Sequence, residues 1–258
     1  MTGVQTCALP IYAKSAVKAV DDLSITVRDG EIFGFLGPNG AGKTTTIKVL
    51  TGVLRADSGT ASVDGIDIAA DPMGAKRRIG YVTDNPELFA RLKASEYLNF
   101  VGDVYGVDSA TRQARAAEYA SLFGIKDALG GSIGSFSHGM KQKLLVTASL
   151  LPDPSNWILD EPMVGLDPKA AFALKGIMRS RAAAGKTVFF STHVMEVAEK
   201  LCDRLAIINK GKIVFVGTLA ELKATQGADG SLESLFLELV DDETAPEASL
   251  EAVPGDGK

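Results

Sequence analysis

A glycine-rich loop at residues 37–44, with the sequence Gly-Pro-Asn-Gly-Ala-Gly-Lys-Thr, has the spacing of a phosphate-binding loop. It follows the apolar run Ile32–Leu36 and precedes a helical pattern at residues 44–50, so that it joins a strand to a helix. Its glycines let backbone N–H groups turn toward phosphate oxygens, and the helix adds the positive end of its dipole. The lysine would reach the β- and γ-phosphates, and the threonine would bind Mg²⁺. The sequence therefore predicts a site for a nucleoside triphosphate.

Two adjacent acids, Asp160 and Glu161, follow the short apolar run Asn156–Leu159. In open α/β sheets, ligands bind at the edge formed by the carboxyl ends of the strands. Asp160 fits the role of holding Mg²⁺, directly or through water, and Glu161 that of the general base for an attacking water. Taken alone, the same pattern also describes a strand that simply ends at solvent.

Ser137 and His193 are two further candidates for contact with phosphate. Ser137 precedes apolar residues at helical spacing and is predicted to be the N-cap of that helix. Free N–H groups at a helix start form an anion site, although a capped amphipathic helix without a ligand is the alternative. His193 follows a β-rich run at 187–190 and could contact the γ-phosphate and orient the water. A purely structural histidine is the alternative there.

Taken in order, these motifs resemble those of the ATP-binding subunits of ABC transporters, over almost all of residues 12–240. The glycine-rich loop resembles the Walker A motif, residues 136–140 the signature motif, 159–161 the Walker B motif and 165–168 the D-loop, while His193 resembles the switch histidine. The resemblance implies an α/β fold of the P-loop NTPase type. Its parts would be a RecA-like parallel-sheet core, an antiparallel β subdomain and an inserted helical subdomain at about residues 87–137.

ATP and Mg²⁺ are the cofactors that the resemblance implies, with Glu161 and His193 as the catalytic residues. The implied metal ligands are Thr44, Asp84 and Asp160. The implied nucleotide contacts are Tyr12, Gly37, Pro38, Asn39, Gly40, Ala41, Gly42, Lys43, Thr44, Thr45, Ser137, Gly139, Met140 and Asp167.

The sequence departs from the family pattern at two motifs. Asp84 stands where the Q-loop of the family has glutamine; it still offers oxygen to a cation but adds a negative charge beside the triphosphate. The signature reads Phe-Ser-His-Gly-Met where Leu-Ser-Gly-Gly-Gln is commonest, and it keeps Ser137 and Gly139. The run that follows it, with residues 191–196, is most similar to the ATPases of ABC-2-type exporters.

The two ends of the chain are expected to lie outside the ATPase domain. Residues 1–11 resemble the translation of a common sequencing adapter, which also puts in doubt the identity of Tyr12, the residue expected to stack on adenine. Residues 241–258 hold six acidic residues and one lysine, and we expect a disordered, solvated tail there. The rest of the chain carries equal numbers of acidic and basic residues, which argues against a nucleic-acid partner.

Coarse patterns predict the remaining organisation. Residues 24–36, Asp64 with Gly65, and residues 205–216 read as antiparallel hairpins, and residues 169–184 and 231–240 as helices. The sequence has no apolar stretch of about 18 residues, so no membrane span is expected. Outside the adapter-like segment Cys202 is the only cysteine, which suits a reducing compartment.

The resemblance implies an ATPase on the cytoplasmic face of the cell membrane, bound to an integral-membrane permease. Two such subunits, identical or different, would enclose ATP between the loop of one and the signature helix of the other. Soluble ABC-type ATPases of translation, DNA repair or iron–sulfur assembly are the alternatives. The first usually has two ATPase units and a basic linker, and the second has long coiled coils between the loop and the signature; neither feature is present. The third would lack a membrane partner.

Overall fold

Two β-sheets organise the chain in a computed structural model that describes residues 5–7, 18–85, 89–226 and 231–241. The strands are β1 (Gln5–Cys7), β2 (Ile25–Thr26), β3 (Ile32–Leu36), β4 (Thr60–Val63), β5 (Ile66–Asp67), β6 (Ile79–Val82), β7 (Asn156–Leu159), β8 (Thr187–Thr192), β9 (Arg204–Asn209) and β10 (Lys212–Gly217). The helices are α1 (Lys43–Leu50), α2 (Pro72–Arg77), α3 (Ala94–Val104), α4 (Ser109–Leu122), α5 (His138–Leu150), α6 (Pro168–Ala183), α7 (Met195–Leu201), α8 (Leu219–Gln226) and α9 (Leu232–Asp241).

The larger sheet has the strand order β10-β9-β3-β8-β7-β6 and is parallel except for β10, which pairs antiparallel with β9. Strands β3, β7 and β8 are buried at every position, as expected when helices cover both faces of a parallel sheet. Their carboxyl ends therefore meet at one edge. This architecture confirms the predicted α/β fold with a parallel-sheet core.

A smaller antiparallel sheet has the order β2-β1-β4-β5. Its β4–β5 hairpin turns at Asp64 and Gly65, which both have positive φ, as two-residue hairpin turns of this kind require. The late hairpin of β9 and β10 is likewise confirmed. The hairpin predicted across residues 24–36 is wrong, because β2 pairs with β1 whereas β3 lies in the large sheet. Strand β3 is buried on both faces, and only the parallel sheet provides covering layers on both sides.

The ends of the chain fall largely outside the described residues. Strand β1 lies within the adapter-like residues 1–11 and pairs with β2 and β4, and the adapter origin of that segment stays a prediction. Tyr12 and residues 242–258 of the acidic tail lie outside the described residues. Helix α9 runs to Asp241 and covers the sheet together with α7.

Helices α3 and α4, two short 3₁₀ turns (Lys126–Ala128 and Ile133–Ser135) and the start of α5 occupy the region of the predicted helical subdomain. Local capping explains where several helices begin. Asp108 accepts a hydrogen bond from the Thr111 N–H at the start of α4. Ser137 accepts one from the Met140 N–H at 3.3 Å at the start of α5, which confirms the predicted N-cap.

Trp157 on β7 is the largest fully buried side chain of the core between the sheet and these helices. Its indole N–H donates to the Ser149 hydroxyl at 3.0 Å, and the Arg181 guanidinium lies 5.7 Å from the ring centroid. Arg181 in turn pairs with Asp153 at 3.0 Å. One side chain thus joins β7, α5 and α6.

We expect Trp157→Ala to lower the free energy of unfolding by about 3–5 kcal/mol, because it leaves a large cavity and removes the hydrogen bond from the indole to Ser149. The matched aromatic control is Phe172→Ala on α6, where the side chain is 78% exposed and the change should stay within about 0.5 kcal/mol. Urea unfolding followed by circular dichroism measures both. Equal losses for the two variants would contradict this account of the core.

Candidate nucleotide-binding site

The glycine-rich loop between β3 and α1 has a backbone that only glycine can follow at several positions. Gly40 and Gly42 have φ of 80° and 110°. A Cβ at Gly37 would lie 2.4 Å from the Ile208 carbonyl oxygen, and one at Gly42 would lie 2.6 Å from that of Ala19. The loop is therefore held between β9 and the segment before β2, with its N–H groups at the start of α1.

A cavity of about 220 Å³ opens at this loop. It is lined by Ala19, Pro38, Asn39, Gly40, Gly42, Lys43, Thr44, Thr45, Asp84 and Glu161. The Lys43 ammonium donates to the carbonyl oxygens of Gly37 at 2.6 Å and Pro38 at 3.2 Å, and its Nζ lies 3.5 Å from Oε1 of Glu161. The Lys43 ammonium thus faces both the loop and the carboxylate that follows β7.

Asp160 ends β7 and is completely buried. The Ser191 hydroxyl donates to its Oδ1 at 2.5 Å, whereas Oδ2 has no hydrogen-bond partner. Burial raises the pKa of Asp160, and the negative charges of Asp84 and Glu161 raise it further. Hydrogen bonds from the hydroxyls of Ser191 and Thr44 lower the pKa, but the net shift is upward. A buried carboxylate oxygen without a partner is costly, and a cation beside it would offset that cost. The donor set of hydroxyl and carboxylate oxygens therefore fits Mg²⁺.

Glu161 has a backbone φ of 46°, which is uncommon for a residue with a side chain. Its N–H donates to the Ser191 hydroxyl at 2.9 Å, which helps to hold this conformation. Its Oε2 lies 3.0 Å from Nδ1 of His193, which follows β8 directly. The turn thus aims the carboxylate between Lys43 and His193, and such a conformation, costing about 1–3 kcal/mol, is typical of functional sites.

Asp84 follows β6 and completes the acidic side of the cavity. The Thr83 hydroxyl donates to its Oδ1 at 3.1 Å. Because β6 and β7 are parallel neighbours, Asp84 and Asp160 come to the same edge of the sheet.

Ser137, Gly139, Met140 and Asp167, which are predicted nucleotide contacts outside the glycine-rich loop, do not line this cavity, and neither do Gly37 and Ala41 of the loop itself. The first three begin α5, and Asp167 caps α6 by accepting a hydrogen bond from the Ala170 N–H at 2.9 Å. The predicted site residues therefore divide into two groups within one chain: the cavity residues and the residues around the start of α5.

Two polar residues at these places were not predicted as site residues. Ser191 holds both Asp160 and the Glu161 N–H, and its sequence signal is a hydroxyl that follows the apolar residues 188–190 of β8. Lys143 pairs with Asp167, and no local pattern indicates that contact, since the two residues are 24 positions apart.

The fold and the cavity define a nucleotide hydrolase with a phosphate-binding loop. The family model described as ABC transporter matches residues 20–164. The chain is 35% identical over 225 residues to the ABC transporter ATP-binding protein NatA of Bacillus subtilis (strain 168), covering 87% of this chain and 91% of that protein. It is 37% identical over 226 residues to the daunorubicin/doxorubicin resistance ATP-binding protein DrrA of Streptomyces peucetius, covering 88% and 68%.

A solved structure described as the ATP binding subunit of an ABC transporter superposes with a TM-score of 0.87 at 32% identity, covering 92% of this chain and 99% of that one. The chain therefore belongs to the ABC transporter family, as an ATP-binding subunit that hydrolyses ATP to power a membrane transporter. The relatives favour this role over the soluble alternatives. In the part of the chain that the structure describes, no helix is long and apolar enough to cross a bilayer.

We expect Lys43→Ala to weaken ATP binding more than tenfold, because a charge-assisted contact is worth about 1.5–3 kcal/mol. Titration with a fluorescent ATP analogue measures the dissociation constant. Lys48→Ala, in the last turn of the same helix, is the matched control and should leave the constant within about twofold. An unchanged constant for Lys43→Ala would show that this lysine does not contact the phosphates.

Proposed function

We propose that two copies of this chain form the ATPase pair of an ABC exporter and enclose ATP between the cavity of one copy and the start of α5 of the other. The observation that carries this proposal is the division of the predicted site residues into two groups. The cavity supplies Lys43 and Glu161, whereas Ser137 and Gly139 lie on α5 outside it. In a dimer with two-fold symmetry, the start of α5 in each copy would face the cavity of the other copy, so that two composite sites form.

The start of α5 has the properties that such a pairing needs. Ser137 is exposed, and its hydroxyl accepts only a long hydrogen bond, at 3.3 Å, from the Met140 N–H. Gly139 adds no side chain that would hinder an approaching phosphate. The N–H groups and dipole of the helix start then offer an anion site to the γ-phosphate held by the other copy.

Within the cavity, Glu161 acts as the general base and His193 orients the attacking water and contacts the γ-phosphate. The support is geometric: Oε2 of Glu161 and Nδ1 of His193 lie 3.0 Å apart. On the other side, Lys43 lies 3.5 Å from Oε1 of Glu161. Triphosphate draws the Lys43 ammonium toward its own oxygens and so leaves Glu161 free to accept a proton from water.

Thr44, Asp84 and Asp160 would hold Mg²⁺, directly or through water, and the ion would neutralise charge on the phosphates. Asp160 contributes its buried Oδ2, which has no hydrogen-bond partner among the described residues. Asp84 contributes a negative charge, which the glutamine usual at this position in the family would not. Two carboxylates together bind a divalent cation more strongly than one carboxylate and one amide. We infer that Asp84 strengthens metal binding at this site.

The permease binds an exposed aromatic cluster formed by Phe89 and Phe100. These side chains are 60% and 49% exposed, and their ring centroids lie 6.0 Å apart. Tyr97, with its centroid 6.4 Å from that of Phe89, anchors the cluster to the core. Exposed apolar clusters mark interaction sites, and this one lies on the segment that follows Asp84. Movement at the nucleotide would thus reach the permease through this segment.

The relatives support export and a place on the cytoplasmic face of the membrane. The similarity to a protein named for daunorubicin and doxorubicin resistance supports export over import. The balanced charge of residues outside the acidic tail supports a protein partner over nucleic acid.

We expect Glu161→Gln to bind ATP, to hydrolyse it very slowly and to accumulate as a dimer when ATP is present. The amide keeps the shape of the cavity but loses the base, and a ligand that binds only the closed pair shifts the equilibrium toward it. Size-exclusion chromatography with and without ATP measures the dimer.

Adding Ser137→Arg should abolish that dimer while ATP binding by the single subunit is kept. The matched control is Ser121→Arg, at an exposed serine on α4, which should leave the dimer intact. A dimer that persists in Glu161→Gln with Ser137→Arg would refute the composite site.

We expect Asp84→Asn, which removes the charge at similar volume, to weaken divalent-cation binding by about tenfold or more. Mn²⁺ titration in the presence of an ATP analogue, followed by electron paramagnetic resonance, measures the cation directly. Asp57→Asn on an exposed loop is the control and should change nothing. Equal Mn²⁺ affinity in the two variants would remove Asp84 from the metal site.

A further inference from the structure

The start of α5 and the loop before α6 are joined within one chain by an ion pair. The Lys143 ammonium, on the second turn of α5, donates to Oδ2 of Asp167, whose Oδ1 accepts the Ala170 N–H. The Lys143 side chain is only 14% exposed. The hydrogen bond from Lys143 also lowers the pKa of Asp167.

The backbones of the same two segments also approach closely. A Cβ at Gly139 would lie 2.4 Å from the Gly165 carbonyl oxygen, and a Cβ at Gly165 would lie 2.5 Å from Cδ2 of His138. Gly165 has a φ of 77°, in the region that favours glycine. No side chain fits between the segments, so a shift of one would displace the other.

The loop before α6 leads directly from the cavity. From Glu161 it makes two successive tight turns, with the Val164 N–H donating to the Glu161 carbonyl oxygen and the Leu166 N–H to that of Met163, both at 3.2 Å. Met163 and Leu166 pack against the same core cluster as Met140 of α5. Because this connection is short and packed, a displacement of the Glu161 turn would also move the loop before α6.

We propose that Lys143 is a positioning residue, which through Asp167 fixes the start of α5 relative to the Glu161 turn and so couples this chain's own cavity to the surface it offers its partner. This inference rests on the proposed composite site. Its consequence is that the two ATP sites of the pair communicate through each subunit, because the Glu161 turn of one site and the α5 start of the other belong to one rigid unit.

A purely structural role for the ion pair predicts a different outcome. Asp167 is 49% exposed, and ion pairs at such positions contribute little to folding. If the pair matters, its loss should therefore appear in turnover and not in the thermal midpoint or in ATP binding by the single subunit.

A double-mutant cycle on the full chain tests the inference with Lys143→Met, Asp167→Asn and both together. Asparagine keeps the N-cap of α6 while it removes the charge. We expect Lys143→Met to lower kcat about fivefold or more, in the range of typical coupling between sites, with the nucleotide dissociation constant within about twofold. In the Asp167→Asn background the same change should have no further effect. Lys143→Arg should restore kcat, and Lys175→Met on α6 is the matched control for loss of a lysine.

The inference is overturned if Lys143→Met has the kcat of the unchanged protein, or if its effect is equally large with and without Asp167→Asn. It is also overturned if the thermal midpoint falls in parallel with kcat and Lys143→Arg does not recover activity. Failure of the proposed function has a different signature, since hydrolysis that survives Ser137→Arg refutes the composite site whatever Lys143 does.

Discussion

The ion pair between the Lys43 ammonium and the Glu161 carboxylate is the interaction on which the rest of this structure depends. Lys43 lies between the carbonyl oxygens of its own loop and Glu161, and Asp160 is buried with one oxygen that has no hydrogen-bond partner among the described residues. The charges of the site are not balanced, because the described residues of the cavity wall include the acids Asp84 and Glu161 and the base Lys43, while the buried Asp160 adds a further carboxyl group. Bound triphosphate, with the cation that this site would hold, would supply charges of both signs.

The strand order of the parallel sheet brings the loop and the acids together. Strand β8 lies between β3, which carries the loop, and β7, which carries the acids. The hydroxyl of Ser191 on β8 is therefore placed to hold Asp160 and the Glu161 N–H at once. Because both faces of the central strands are covered, the water that would screen these charges is excluded from beneath the site.

The start of α5, which completes the proposed site of the other copy, is connected to the Glu161 turn of its own chain. The residues proposed to contact the γ-phosphate from α5 do not line the cavity of their own chain, yet they are joined to the Glu161 turn by Lys143, Asp167 and the close approach of Gly139 and Gly165. In the proposed pair, a subunit would bind nucleotide alone but hydrolyse it only together with its partner, so that hydrolysis and the movement delivered to the membrane partner would be linked.

The sequence by itself determined the features whose physics is local. Glycine spacing specifies the phosphate-binding loop, Ser137 specifies the start of α5, and Asp64 with Gly65 specifies a hairpin, since each depends on backbone dihedrals or hydrogen bonds within a few residues. Tertiary structure alone decided that β2 and β3 enter different sheets, that Ser191 supports the acids, and that Lys143 meets Asp167. Those outcomes depend on the order of strands and on which faces are covered, and no local pattern contains that information because the groups meet only when the whole core has packed.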